Sequence, residues 1–404
     1  MLEVAVIADD LTGAADTGIA FALAGVPTFV AFGERNPPAG SRVVAFDTDS
    51  RALAADAAAA RASAAATRAC ERGVRTIYKK IDSTLRGNVG AEAAAILRAV
   101  TARGEPGVVI ACPAFPAMGR TTREGRVFVS GTALEETDVW RKSGMTGPAD
   151  LASMLEKSGL RTAVVDLRTV REGALPEGPQ ALVCDAEDES DLRHIAEAGA
   201  KLRARVVWVG SGGLARHLPA ALGLRAEESG KARFEPRSGS ILTLVGSRSE
   251  VSREQARQLC QEPGVDCFEI DPEALLAGPS SENSRAIASL HKALAAGRDA
   301  VLLTTLGDKV DLSHAPAIAA ALGRLVPPLF ETLGGLTATG GDIARAVLSS
   351  LGASGIHLVG EVEPGVPLGL ADTPKPLPLV TKAGAFGNSS TLKRCRAALE
   401  GRSS

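Results

Sequence analysis

The segment Tyr78-Lys79-Lys80-Ile81-Asp82-Ser83-Thr84-Leu85-Arg86-Gly87-Asn88 closes a short β-rich run that begins at Thr76. It gathers two ammonium groups, a carboxylate, two hydroxyls and a guanidinium at the end of one expected strand. A strand ending this way aims several charge-assisted hydrogen bonds at one point, a chemistry suited to a small, anionic, hydroxylated ligand. The plainer alternative is a solvated strand end. A second polar strand end weighs against it, because Ala8-Asp9-Asp10-Leu11-Thr12-Gly13 follows the apolar run Val4-Ala5-Val6-Ile7. Open α/β sheets bind ligands beyond the carboxyl ends of their strands, so both clusters are expected to line one crevice.

Working outward, similar β-rich runs alternate with Ala-rich helical stretches: Val4 to Ala8, Thr28 to Phe32, Val43 to Phe46, Thr76 to Ile81, Val108 to Cys112, Ala163 to Leu167, Ala181 to Cys184 and Val206 to Val209. That alternation predicts a doubly wound, largely parallel sheet. Between Gly223 and Gly239 the pattern lapses into Arg, Glu, Ser, Gly and Pro, which marks a linker. It restarts with Ile241 to Val245, Ala300 to Thr304, Gly335 to Thr339, Ile356 to Val359 and Leu377 to Val380. The expected fold class is therefore α/β with two domains, residues 1–225 and 240–404, each a largely parallel sheet flanked by helices. Asp47-Thr48-Asp49-Ser50-Arg51 makes a third polar strand end in the first domain. It reads equally as the N-cap and first-turn acids of the helix expected from Ala52 to Ala69.

The 404 residues suffice for two full cores, and 45% apolar with 23% charged residues marks a globular chain. A net charge of -2 and 3% aromatic residues give no basis for nucleic-acid binding. Cys70, Cys112, Cys184, Cys260, Cys267 and Cys395 form no CxxC pair, and the five histidines show no metal-ligand spacing. The expectation is a reduced, cytoplasmic protein without a metal site of its own. No secretion signal or membrane span is visible. A homo-oligomer is compatible with the sequence, which does not set the oligomeric state.

Three Gly-containing strand ends stand out in the second domain. Thr339-Gly340-Gly341-Asp342-Ile343 leads into the helical pattern Ile343 to Leu351; glycines there let backbone N–H groups approach a phosphate at a helix amino terminus. Asp342 could serve as base, as a magnesium ligand through water, or merely as N-cap. Val245-Gly246-Ser247-Arg248-Ser249 repeats the arrangement, with Ser247 placed to donate to a phosphate and Ser249 to cap the next helix; a plain strand-turn-helix is the alternative. Thr381-Lys382-Ala383-Gly384-Ala385-Phe386-Gly387 suits polyphosphate or a simple Gly turn. No GxxxxGK[ST] segment occurs, which disfavours a P-loop mechanism. Gly210-Ser211-Gly212-Gly213-Leu214-Ala215 fits GxGxxA but lacks the second strand and acidic residue of a dinucleotide fold. In the loop from Pro113 to Thr122, Arg120 offers an anion contact, and Cys112 is either a nucleophile or a buried strand-end thiol.

These residues resemble the four-carbon acid sugar kinases. The resemblance rests on Ile7-Ala8-Asp9-Asp10-Leu11-Thr12-Gly13-Ala14, Lys79 to Asn88, Pro113-Ala114-Phe115-Pro116 with Gly119-Arg120-Thr121, Gly340-Gly341-Asp342, Gly360-Glu361 with Pro364 to Pro367, and Thr381 to Gly387. It implies an amino-terminal sugar-acid-binding domain, a carboxyl-terminal nucleotide-binding domain, and ATP-dependent phosphorylation of threonate, erythronate or a 3-oxo-tetronate. By motif, Asp9, Arg51, Lys80, Ile81, Asp82, Ser83 and Thr84 would hold the acid, and Ser247, Gly340, Gly341, Asp342, Ile343 and Gly384 would hold ATP. Ile343 departs from the family, which often has Thr there, so a side-chain phosphate contact is not expected at that position.

Phosphoryl transfer then requires the two domains to close, and Mg2+ is expected to bridge the phosphates. The base is assigned to Asp342 ahead of Asp9 or Asp10. Two rivals remain at this stage. One is an NAD-dependent sugar-acid dehydrogenase using Gly210 to Ala215. The other is a non-catalytic sensor of sugar acid or ATP.

Overall fold

The computed structural model describes residues 1–33, 36–102, 104–226, 234–246, 249–277, 281–305 and 314–402. The chain divides into two compact units, Met1–Lys231 and Ala232–Ser404. Part of the expected linker, residues 227–233, lies outside the described residues.

The first unit holds strands β1 (Val4–Ala8), β2 (Thr28–Phe32), β3 (Val43–Asp47), β4 (Thr76–Lys80), β5 (Gly107–Cys112), β6 (Arg120–Arg123), β7 (Arg126–Val129), β8 (Thr132–Ala133), β9 (Thr162–Val165), β10 (Ala181–Cys184) and β11 (Arg205–Gly210). Eight of them form an all-parallel run in the order β2-β3-β1-β4-β11-β5-β10-β9. Every residue of β1 is buried, as expected where helices cover both faces of a parallel sheet. The Ala-rich helix Ala55–Glu71 buries Ala58, Ala62, Ala65, Ala66 and Ala69, one small-residue face that lies against helix Val89–Thr101. Strands β6, β7 and β8 make a separate antiparallel sheet that the sequence reading did not anticipate.

The register of the central strands positions everything that follows. Ala8 is paired with Asp47 on one side and Lys80 on the other. Lys80 pairs with Gly210, and Gly210 with Cys112. Five carboxyl ends are therefore level, and the polar clusters after β1, β3 and β4 emerge side by side.

The second unit contains β12 (Ser240–Val245), β13 (Val265–Ile270), β14 (Asp299–Thr304), β15 (Leu333–Thr339), β16 (Gly355–Glu363), β17 (Val366–Ala371) and β18 (Leu377–Lys382). Their order is β13-β14-β12-β15-β18-β17-β16, parallel as far as β18 and antiparallel beyond it. Val245 pairs with Thr339, and Thr339 with Lys382, so the three Gly-containing turns are also neighbours.

Six free thiols are not what the structure holds: Cys260, at the end of helix Glu250–Leu259, and Cys267, in β13, form a disulfide across a Cα separation of 5.9 Å. The helix-to-strand turn brings the two residues together despite their spacing. Among the described residues no helix is long and apolar enough to cross a membrane.

Candidate functional site

Asp9 leaves β1 at its carboxyl end and is 3% exposed. Arg51 donates to both of its oxygens, Nε to Oδ2 at 2.9 Å and Nη2 to Oδ1 at 2.8 Å, while Nη1 reaches Asp10 Oδ2. This two-toothed clamp fixes guanidinium and carboxylate planes together. Burial pushes the Asp9 carboxyl up, but Arg51, then Lys79 and Lys80, outweigh it and hold the group below its ordinary value. Gly87, with φ +90, lets the chain pass so close that a Cβ there would lie 2.8 Å from Asp9 Oδ2.

Asp10 is the N-cap of helix Leu11–Leu23. It accepts from Gly13 N at 2.7 Å and from Thr12 Oγ1 at 3.0 Å. With Arg51 as a third donor, its carboxylate is occupied in holding the strand end.

The cap alternative for Asp47 to Arg51 fails. The helix that follows begins at Ala55 with Ala54 as N-cap and no side-chain capping bond. Instead the segment is tied to β1: Thr48 N donates to Ala8 O at 2.9 Å, Ser50 N to Asp9 O at 3.0 Å and Arg51 N to Asp9 O at 3.3 Å.

After β4 the chain turns sharply, with Leu85 at φ +57 and its N–H donating to Asp82 O at 2.9 Å. Asp82 accepts from Arg86 Nε at 2.6 Å, Arg86 Nη2 at 3.1 Å and Thr84 Oγ1. Burial raises its carboxyl, and Arg86 foremost overrides that, leaving the group far below the usual carboxylate range. The Ile81 side chain is core, and its N–H donates to Gly210 O at 2.8 Å.

Lys80 and Ser83 are 6% and 8% exposed, and neither side chain makes a hydrogen bond or ion pair among the described residues. Lys79, by contrast, points to the opposite face and meets Glu92 at 2.8 Å, both side chains 1% exposed. That contact is an ion pair by distance without hydrogen-bond alignment. Arg120 gives Nη1 to Met118 O and keeps a buried Nε without a partner.

In the second unit Gly340 takes φ +97 and acts as N-cap of helix Gly341–Ser350 without a side-chain bond. Asp342 is thus not the cap; it stands exposed in the first turn, beside the N–H groups of Gly340 to Ile343. Ile343 is buried against Gly246, where a Cβ would meet its Cδ1 at 2.1 Å, so the residue supports the neighbouring turn by packing. Ser247 lies outside the described residues, and Ser249 is the N-cap of the next helix without a side-chain capping bond.

Lys382 corrects its expected role. It is buried, and its Nζ donates to Ala383 O at 2.9 Å, Phe386 O at 3.0 Å and Gly384 O at 3.2 Å, shaping the turn from within. Ser252 Oγ adds a bond to Gly384 O at 2.7 Å.

The Gly210 to Ala215 segment is buried throughout. Its glycines make room for packing: a Cβ on Gly210 would meet Tyr78 Oη at 2.5 Å, and one on Gly213 would meet Ala114 O at 2.6 Å. No backbone there is open to a dinucleotide. Cys112 is a buried thiol pushed up to about 12 by burial, which settles its alternative against a nucleophile.

The two units thus define a class: an α/β protein with charged and hydroxyl side chains gathered at the strand ends of one unit and glycines at those of the other. Family models agree with that division, a "Sugar-binding N-terminal domain" matching residues 4–218 and a "Nucleotide-binding C-terminal domain" matching residues 242–392. The chain is 43% identical to a D-threonate kinase from Cupriavidus necator, over 96% of this chain and 95% of the relative. It is 33% identical to a D-threonate kinase from Salmonella typhimurium, over 97% of each. A crystal structure described as a putative tRNA synthase from Salmonella typhimurium LT2 superposes with a TM-score of 0.79 at 26% identity, covering 98% of this chain and 100% of that one. The chain belongs to the four-carbon acid sugar kinase family.

Proposed function

We propose that this chain is an ATP-dependent kinase whose substrate is a four-carbon sugar acid, D-threonate first among the candidates. The observation that carries the substrate class is Lys80, a side chain 6% exposed whose ammonium end reaches solvent without a protein hydrogen bond, and one of the cations acting on the clamped Asp9. An ammonium at the end of a largely buried side chain, with its hydrogen-bond donors uncommitted, suits a carboxylate ligand. In this reading Lys80 takes the substrate carboxylate. Arg51, already engaged by Asp9 and Asp10, acts by holding Asp9 in place. Asp9 and Ser83 read hydroxyls, Asp82 orders the turn through Arg86 and Thr84, and the Ile81 and Thr84 backbone borders the acid.

ATP belongs to the second unit, with its phosphates on the turns at Gly340, Gly341, Ile343 and Gly384. Asp342 serves as base. Its carboxylate accepts the proton of the substrate hydroxyl as that oxygen bonds to the γ-phosphorus and the bond to the β,γ-bridging oxygen breaks. No group of three or more Asp, Glu, His or Cys side chains poised for a metal occurs among the described residues. Mg2+ would come with ATP, held by its phosphates, and would neutralise charge on the transferring phosphoryl group. A cytoplasmic location accords with ATP as co-substrate.

The test is coupled ADP release with ATP and Mg2+ over D- and L-threonate, D- and L-erythronate and 3-oxo-tetronates. Turnover best with D-threonate supports the proposal. Binding of ATP with silence across the panel favours the sensor.

A further inference from the structure

One buried charge pair has no place in the mechanism above. Glu92 stands in the first turn of helix Val89–Thr101, where a carboxylate is favoured, yet its side chain is 1% exposed. Its Oε2 lies 2.8 Å from Lys79 Nζ, and its Oε1 accepts from Ser50 Oγ at 2.5 Å. Two full charges in a dry interior commonly stabilise a fold no better than two apolar side chains of the same volume would. Stability alone is therefore a poor reason for the pair to be there.

Both of its contacts lead to the same carboxylate. Ser50 is fully buried; its N–H donates to Asp9 O at 3.0 Å, its hydroxyl lies 2.8 Å from Thr48 Oγ1, and Thr48 Oγ1 donates to Ala8 O at 2.9 Å. The next residue is Arg51, whose guanidinium brackets Asp9. Lys79, the other contact, is one of the cations acting on Asp9. We propose that Glu92 is a positioning residue for the sugar-acid site, orienting the Asp9–Arg51 clamp through Ser50 while it fixes the Lys79 ammonium. This rests on the reading that the first unit takes the sugar acid.

The charges facing Asp9 are Arg51 from the segment after β3, Lys79 and Lys80 from β4, and Asp10 at the head of helix Leu11–Leu23; the Asp82–Arg86 pair faces Arg51 in turn. The decisive variant is Lys79→Met with Glu92→Leu, which removes both charges and leaves none stranded. Expected are retained folding, a KM for D-threonate raised about 10- to 100-fold, an unchanged KM for ATP, and an acid limb of kcat/KM moved to higher pH, since Asp9 loses a neighbouring cation. Lys79→Arg, which keeps the charge, keeps the acid limb where it is.

A folded double variant with the original KM and acid limb overturns the proposal. If that variant fails to fold, Ser50→Ala decides: it cuts one arm without touching a charge, and an unaltered KM for D-threonate overturns the proposal just as well. Should the intact protein turn over none of the acids, the proposed function falls, and the positioning claim is read separately by carbon-13 titration of the Asp9 carboxyl. An upward shift in the double variant upholds it, and an unmoved titration overturns it.

Discussion

Lys79 and Lys80 are neighbours of like chemistry, and their surroundings predict opposite consequences for the same substitution. Lys80→Met removes an ammonium that makes no protein hydrogen bond or close ion pair and reaches solvent at its end. Folding should be little changed, since no hydrogen bond or close ion pair is broken and Asp9 keeps its Arg51 clamp. What is lost is one charge-assisted hydrogen bond to the substrate carboxylate, worth about 1.5–3 kcal/mol. At about 1.4 kcal/mol per tenfold, kcat/KM for D-threonate should fall roughly 10- to 140-fold while the KM for ATP stays put. Lys79→Met instead leaves the Glu92 carboxylate in the core without its cation, with the Ser50 hydroxyl as its remaining partner. Removing one partner of a buried pair costs about 3–5 kcal/mol. For a unit of this size that lowers the melting temperature by about 6–20 °C. Thermal melts by circular dichroism and steady-state ADP release, with ATP saturating and D-threonate varied, read both effects on the same preparations. The reasoning is refuted if Lys80→Met melts as early as Lys79→Met, or if it leaves kcat/KM for D-threonate unchanged.

Three further outcomes follow from the same geometry. Because Gly340 and not Asp342 caps its helix, Asp342→Asn should lose no more than about 1 kcal/mol of stability while kcat falls about 100-fold or more; a drop in melting temperature with kcat intact would remove Asp342 as base. A Cβ on Gly340 would meet nothing within 4 Å, so Gly340→Ala carries the strain of an extended backbone at φ +97, about 1–3 kcal/mol, and should raise the KM for ATP but not for the acid. Asp9 and Asp82 titrate lower in the folded chain than in the unfolded one, so their stabilisation is complete above about pH 4 and is lost as the pH falls below it. Asp82→Asn should therefore lower stability at pH 7 and flatten its decline between about pH 4 and 2, as read by urea unfolding across that range.

The main sheet was legible because each strand of it is a short apolar run between helix signals, and β1, β2 and β10 fall where the sequence placed them. Strands off that pattern were not. β6 reads Arg-Thr-Thr-Arg, with nothing to mark a core face, and β13 at the sheet edge buries its end residues Val265 and Ile270 but none of the four between them. The strand ends could be named, yet their internal assignments could not, since spacing along the chain carries no distance across a sheet. The clamp that Arg51 makes on Asp9 was not foreseen, and of the two readings of Thr381 to Gly387 the buried Lys382 favours the simple turn, which it fastens from within. Glu92 was overlooked within an Ala-rich helix, where the lone acid in Val89-Gly90-Ala91-Glu92-Ala93-Ala94 was the available signal. Its partners Ser50 and Lys79 lie on other elements, and only the fold brings them together.

The most direct measurement is phosphorus-31 NMR of the protein with ATP, Mg2+ and D-threonate. The account predicts a new phosphomonoester resonance growing in one-to-one proportion with ADP. ADP accompanied only by inorganic phosphate, or an unchanged ATP spectrum with both ligands bound, would contradict it.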